Sequence, residues 1–386
     1  MEVTHIGTWP PLKSNVYYCT ALTGALRKKI KVNFISFNKL YPKFLYPDEV
    51  EEKGNWYELK EDENFKFVRL INYNNPLTWI KAGFRVKTKI VQIQWWSLPL
   101  APILTFIMVI LKLRKKKIVL SVHNVLPHGS NFIDKLMSKT IGKGLTKFAF
   151  SLCEKFFVHS QVNLENMHKV YGIPYSKLVE IPMGIHDMYI KEMPSKLEAR
   201  KRLGLNKEDK VVLNFGNIKD YKGIDDLIIA FNSVNKKIKN CKLIIAGKNW
   251  EDFDKYQKLI DKYNLKDKVI LDLRYVPTDF VENYFSAMDV LVLPYKYFDA
   301  QSGPGNIALS FFKPIIVTDV GGLRDLVLDK NVLVKASDTN ALAESMIKVL
   351  TDKKLYGKLV GDSKVLAKKF SWDSVADKTI EVYQGL

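Results

Sequence analysis

Cysteine is scarce. Cys19, Cys153 and Cys241 are the only three in 386 residues, and none lies at metal-ligand spacing from another. An odd, scattered set excludes a disulfide framework and suits buried thiols in a reducing compartment. Long apolar runs are also lacking. The most apolar segment, Leu98–Leu113, is broken near its start by Pro99 and Pro102. Its clean run, Ile103–Leu111, is far shorter than the roughly 20 residues that cross a bilayer, so it reads as a buried helix. No Gly/Ser-rich linker, long internal repeat or leader-like run is visible, since Met1 leads straight into the strand-like Val3–Ile6. Acidic side chains are nearly missing from one region. Residues 64–185 carry 18 Lys/Arg against 4 Asp/Glu, whereas residues 1–63 balance at 9 and 9. Most of the formal net charge of +19 therefore sits in that stretch, which calls for an anionic partner.

What is present is an alternation of short apolar runs and helical patterns, the mark of α/β layers around parallel sheets. Seven runs read as buried strands in the first half, from Val3–Ile6 to Val179–Pro182. Six more follow, from Val211–Phe215 to Asn331–Val334. The length suits two domains. The irregular stretch Pro182–Pro194 divides them into residues 1–185, joined by a returning helix at 372–386, and residues 186–371.

Two strand–loop–helix segments carry chemistry. In Phe215–Gly223 a buried strand ends at Gly216, and Asn217, Lys219 and Lys222 precede a helix that opens at Gly223. Free backbone N–H groups at that helix start, with ammonium groups beside them, form an anion site; two solvated lysines are the plain alternative. In Tyr297–Asn306, Ser302 and Gly303 can present a hydroxyl and amides to phosphate, and Asp299 can accept sugar hydroxyls. Open α/β sheets bind ligands at such strand ends. No metal-ligand cluster is evident, so no obligatory metal or other cofactor is expected.

These segments, "GNIKDYKGIDDLIIAF", "AMDVLVLPY" and "QSGPGNIALSFFKPIIVTDVGGLRDL", together with "GTWPP" and "SVHNVLPH" near the N-terminus, resemble family 4 retaining glycosyltransferases. The resemblance implies an α/β GT-B fold, two Rossmann-like domains facing a cleft, with the nucleotide diphosphate of a sugar donor held by the C-terminal domain. It makes His123 the active-site histidine and Lys222 the diphosphate lysine. Gly7, Gly216, Asn217, Lys219, Ser302, Gly303 and Asn306 are then donor-side residues. The sequence departs from the family pattern at Asn217, where an arginine is usual, and at Asp299 and Ile307, where two glutamates are usual. Lys219 and Asn306 are the expected substitutes, and the Gln301-Ser302-Gly303 form resembles a subgroup without the second glutamate.

The expected partners are a nucleotide sugar, a glycan or polyprenol-linked acceptor and an anionic membrane surface, with no nucleic acid. The protein is then cytoplasmic and peripheral at the inner face of the cell membrane. A helix at Phe132–Leu152 is the expected membrane contact. Lys135, Lys139, Lys143 and Lys147 form one stripe along it, with Phe132, Leu136 and Phe150 set among them. A sugar-nucleotide epimerase on the same fold and a non-catalytic transferase-like binding partner are the alternative readings.

Overall fold

A computed structural model describes residues 1–12, 15–41, 59–125, 140–190, 193–298 and 301–386. The chain divides into two compact units, Met1–Gly184 with Trp372–Leu386, and Ile185–Ser371.

The first unit runs β1 (Glu2–Gly7), α1 (Val16–Leu26), β2 (Lys31–Lys39), β3 (Phe65–Asn72), α2 (Pro76–Arg85), β4 (Ile90–Trp95), α3 (Ala101–Leu113), β5 (Lys117–Val122), α4 (Thr140–Ser151), β6 (Lys155–Val158), α5 (Gln161–Tyr171) and β7 (Leu178–Glu180). Its seven strands are parallel in the order β3-β2-β1-β4-β5-β6-β7. The second unit runs α6 (Lys196–Arg202), β8 (Lys210–Phe215), α7 (Ile224–Lys237), β9 (Cys241–Ala246), α8 (Asp254–Lys262), β10 (Val269–Asp272), α9 (Val281–Ala287), β11 (Val290–Leu293), α10 (Gly303–Ser310), β12 (Ile315–Thr318), β13 (Leu333–Val334), α11 (Thr339–Thr351) and α12 (Lys353–Lys369). Its sheet is parallel in the order β10-β9-β8-β11-β12-β13. The last helix, α13 (Trp372–Gln384), belongs to the first unit.

Strands buried on both faces read as continuous apolar runs, and both sheets obey this. Ile90–Trp95 is buried at every position, and so is Val290–Leu293. Right-handed crossovers then sort the helices. In the first unit α2–α5 bury Ala82, Ile103, Ile107, Phe150 and Met167 against one face of the sheet. Helices α1 and α13 bury Leu22, Leu26, Trp372 and Tyr383 against the other. Gly184 lies against Trp372, where a Cβ would stand 2.4 Å from the indole, so only glycine fits.

In the second unit the buried carboxylate of Asp289 holds the start of the sheet. It accepts from Arg200 Nη2 at 2.9 Å, Lys196 Nζ at 2.6 Å and the Val211 amide at 2.7 Å. The hollow lined by Lys196, Lys210, Asp289 and Tyr356 lies at this end, opposite the strand C-termini.

Part of the expected membrane helix is corrected here. Residues 126–139, with Phe132, Lys135, Leu136 and Lys139, lie outside the described residues. Within α4, Lys143 and Lys147 are exposed, but Phe150 is buried against Trp95, Phe156 and Tyr171. Phe148 is exposed. The helix turns Gly142, Thr146, Ala149 and Phe150 inward, an i, i+4, i+7, i+8 stripe. Three of these four side chains are small or polar, so hydrophobicity alone does not single out this face.

Candidate active site

In the second unit the strand order reverses between β8 and β11, the topological switch point at which open α/β sheets hold ligands. Gly216 leaves β8 with φ 107°, and Gly223 enters α7 with φ 64°. A Cβ at Gly223 would lie 2.0 Å from the Pro294 carbonyl oxygen, and one at Gly247 would lie 2.2 Å from that of Gly216. Glycine at these positions lets three strand-end loops close on one another.

Lys222 is drawn inward by this packing and is only 6% exposed. Its Nζ donates to Tyr295 Oη at 2.8 Å and meets no carboxylate within ion-pair distance among the described residues. Burial holds its pKa below the ordinary lysine range. The Tyr295 hydroxyl lies 3.4 Å from Ser302 Oγ, and Ser302 caps α10 by accepting from the Gly305 amide. Pro304 closes the ring: a Cβ at Gly216 would stand 3.2 Å from both Lys222 Nζ and Pro304 Cγ. Asn306, one turn along α10, is fully buried, and neither atom of its amide has a partner among the described residues. A buried ammonium with no counter-ion among the described residues, beside a helix N-terminus, is a site prepared for an anion, and the unsatisfied amide of Asn306 lies one turn along that helix.

The expected donor-side residues do not all converge. Gly216, Lys222, Ser302 and Gly303 share this corner. Asn217 and Lys219 are exposed, and Lys219 Nζ sits 5.9 Å from the Trp250 ring centroid instead of beside Lys222. The start of α7 is occupied by its own acids: Asp225 Oδ2 accepts from Lys296 Nζ at 2.6 Å, and Asp226 lies beside it. The helix dipole of α7 is thus already matched, and the anion character falls to Lys222 and the start of α10. Asp299 lies outside the described residues. Tyr295 was not singled out by sequence, because a tyrosine after a strand reads as core; only its position between Lys222 and Ser302 reveals its use.

A Tyr295→Phe variant removes the hydrogen-bond partner of Lys222. It is expected to lose about 2 kcal/mol of stability, the scale of a hydrogen bond to a charged group. Inorganic pyrophosphate should then raise the melting temperature of the variant more than that of the wild type. An equal shift in both would show that Lys222 does not meet the anion.

In the first unit Gly7 ends β1 in a buried position, where a Cβ would lie 2.8 Å from Gln94 Cγ and 3.1 Å from Cys19 Sγ. His123 follows β5 and is buried in a hydrogen-bonded row. Its Nε2 is 2.8 Å from Gln94 Oε1, and its Nδ1 is 3.0 Å from His159 Nε2. His159 Nδ1 is 2.9 Å from the Ile181 carbonyl. That carbonyl can only accept, so His159 carries its proton on Nδ1. Burial pushes His159 down to about 4 and His123 well below the usual histidine range, so both rings are neutral at pH 7. His159 Nε2 must then accept from His123 Nδ1–H, which leaves His123 Nε2 as an acceptor. A half-turn of the Gln94 amide supplies the matching donor and gives Gln94 Nε2, otherwise without a partner among the described residues, its acceptor. His123 is therefore set in tautomer by His159, a partner 36 residues away. Among the described residues no three His, Cys, Asp or Glu side chains converge as a metal site.

Comparison with known proteins agrees with this architecture. Residues 195–377 match the family described as "Glycosyl transferases group 1". An uncharacterized glycosyltransferase of Methanocaldococcus jannaschii is 26% identical over 229 residues, 57% of each chain. The D-inositol 3-phosphate glycosyltransferase of Xylanimonas cellulosilytica is 25% identical over 226 residues, 57% of this chain and 54% of the relative. The matches thus span little more than half the length of these curated relatives. HepE of Anabaena, solved in complex with UDP, superposes with a TM-score of 0.72 at 14% identity over 100% of both chains. Residues 195–377 are thus similar to the group 1 glycosyl transferases, and the chain has the two-domain α/β fold known as GT-B.

Proposed function

We infer that this protein is a retaining glycosyltransferase that moves a sugar from a nucleoside diphosphate sugar to a lipid-linked or other glycan acceptor at a membrane surface. The observation that carries the reading is the buried ammonium of Lys222, without a carboxylate partner among the described residues, beside Ser302 and the start of α10. A diphosphate leaving group gains negative charge as the glycosidic bond breaks, and a preorganised cation stabilises that change without reorganisation. The UDP bound by the Anabaena protein supports a nucleotide donor. The basic stretch 64–185 supports an anionic acceptor or surface.

With retention, the acceptor hydroxyl attacks the face that the diphosphate leaves, and a donor phosphate oxygen takes its proton. Fixed positive charge from Lys222 serves the leaving group, so no metal is required by this mechanism. His123, with both ring nitrogens held by Gln94 and His159, serves as a neutral positioning group.

The test is a panel of nucleoside diphosphate sugars with the purified protein. Release of nucleoside diphosphate, followed by NMR of the transferred sugar, should show one active donor class, an unchanged anomeric configuration and turnover that survives EDTA. Inversion at the anomeric carbon would overturn the retaining mechanism. No release from any donor by a protein that binds pyrophosphate would favour a non-catalytic role.

A further inference from the structure

Among the described residues, most of the first unit's exposed large apolar groups stand on the helices of one sheet face, with Met1 and Tyr175 apart from them. Leu77, Ile80 and Phe84 on α2, Phe106 and Leu113 on α3, and Phe148 on α4 are all exposed, with Leu77 at 64% and Leu113 at 79%. Helices α1 and α13, across the sheet, carry no exposed large hydrophobic residue. Those helices show ordinary surface chemistry, with Lys28–Asp373 and Lys29–Asp377 ion pairs.

The apolar groups follow helical spacing. Leu77, Ile80 and Phe84 stand at i, i+3 and i+7, and Phe106 and Leu113 stand seven apart. The helices carrying them are parallel neighbours. Trp79 meets Phe106 at 5.9 Å edge to face, Gly83 packs on Ile110, and Arg114 donates to the Gly83 and Val86 carbonyls at the end of α2. The two stripes therefore lie on the outer side of one rigid pair, with Phe148 on the helix that packs next to α3.

Charge identifies the occupant. Residues 65–133 contain eleven Lys/Arg and no Asp or Glu. Lys81, Arg85, Lys143 and Lys147 have no carboxylate within ion-pair distance among the described residues, and they stand between the exposed apolar side chains. A second copy of the chain would bring like charges together. A surface of separated apolar groups set among unpaired cations instead matches an anionic lipid interface, where the cations meet headgroups and the apolar tips enter the acyl boundary. We propose that the outer face of α2, α3 and α4 docks the protein on an anionic lipid bilayer. This rests on and deepens the reading of a membrane-surface acceptor, and sets α2 and α3 beside the α4 part of the Phe132–Leu152 helix.

The test uses the full chain without any sugar nucleotide, so its outcome is independent of whether transfer occurs. Wild type should co-float with phosphatidylglycerol-containing vesicles at low salt, stay free with pure phosphatidylcholine, and be released at high salt. Leu77→Ser, Phe84→Ser and Leu113→Ser together should lower the partition coefficient at least tenfold. Lys81→Gln with Arg85→Gln should lower it severalfold. Unchanged melting temperature and circular dichroism would show that the variants fold. Wild type that ignores anionic vesicles at low salt overturns the proposal, and so does a serine variant that floats as well as wild type. A dimer in solution that the serine substitutions dissociate would make this face a self-interface and also overturn it. Capture of an acidic protein without any vesicle binding would do the same.

Discussion

Lys222→Ala is expected to lower kcat/KM for nucleotide-sugar turnover by about 100-fold or more, on the order of 3 kcal/mol of transition-state stabilisation. The expectation rests on where the charge is kept. Lys222 Nζ is buried with a phenol as its partner, so the folded protein bears the cost of an ammonium without an anion. A donor diphosphate would relieve that cost, and the gain grows as the leaving group takes on charge. Two controls separate this from a structural role. Without ligand the Lys222→Ala protein should melt at or above the wild-type temperature, because a destabilising charge has been removed. Lys219→Ala should change turnover less than about threefold, because that side chain is exposed beside Trp250 and its charge is screened. A variant with unchanged kcat/KM, or one that loses activity only in proportion to lost stability, would remove Lys222 from the site.

Much of the frame was legible because parallel strands are written plainly. Runs such as Val211–Phe215 and Val290–Leu293 are buried on both faces and tolerate almost nothing polar. Helices were less legible. Lys353–Lys369 carries six lysines, Gly357 and Gly361, and it forms a helix because Asp352 caps it and Leu359, Leu366 and Ala367 reach the core. Pro76–Arg85 places Leu77, Ile80 and Phe84 outward, so its hydrophobic pattern points away from the core that defines the fold. The anion loops are legible from their glycines, but the direction of their lysines is not: Lys222 turns in and Lys219 turns out. The partners of the key groups were invisible for a simpler reason. Tyr295 is 73 residues from Lys222, and His159 is 36 from His123. Only the strand order, β8 beside β11 and β5 beside β6, brings them together.

That same burial predicts a steep loss of stability in mild acid. His5 is pushed down to about 3 and His159 to about 4 by burial, and His123 lies well below the usual range through burial and the neighbouring His159 charge. Their polar partners are Tyr383 Oη, Gln94 and the Ile181 carbonyl, with Phe34 and Tyr18 rings against them; no carboxylate is bonded to any of the three among the described residues. In the unfolded chain each titrates near 6.5. Below that pH the unfolded state binds protons that the folded state refuses, so stability is complete above 6.5 and falls as the pH drops toward the folded values. The loss is about 1.4 kcal/mol per histidine per pH unit, hence about 4 kcal/mol for His5 and His159 at pH 5, with His123 adding in the same direction. That equals a large part of the roughly 5–15 kcal/mol that holds a domain together. The first unit should bear most of it, since the second holds only His186 in this class, lowered to about 4. Tryptophan fluorescence is a suitable reporter, because Trp250 is the only tryptophan within residues 185–371. Urea melts followed by that signal should shift to markedly lower midpoints between pH 7 and pH 5. His5→Gln, which keeps a polar partner for Tyr383 but cannot titrate, should remove about 2 kcal/mol of the loss at pH 5. A midpoint that stays level from pH 7 to pH 5 would mean that the three histidines are not buried as neutral rings, and the tautomer assigned to His123 would fall with them.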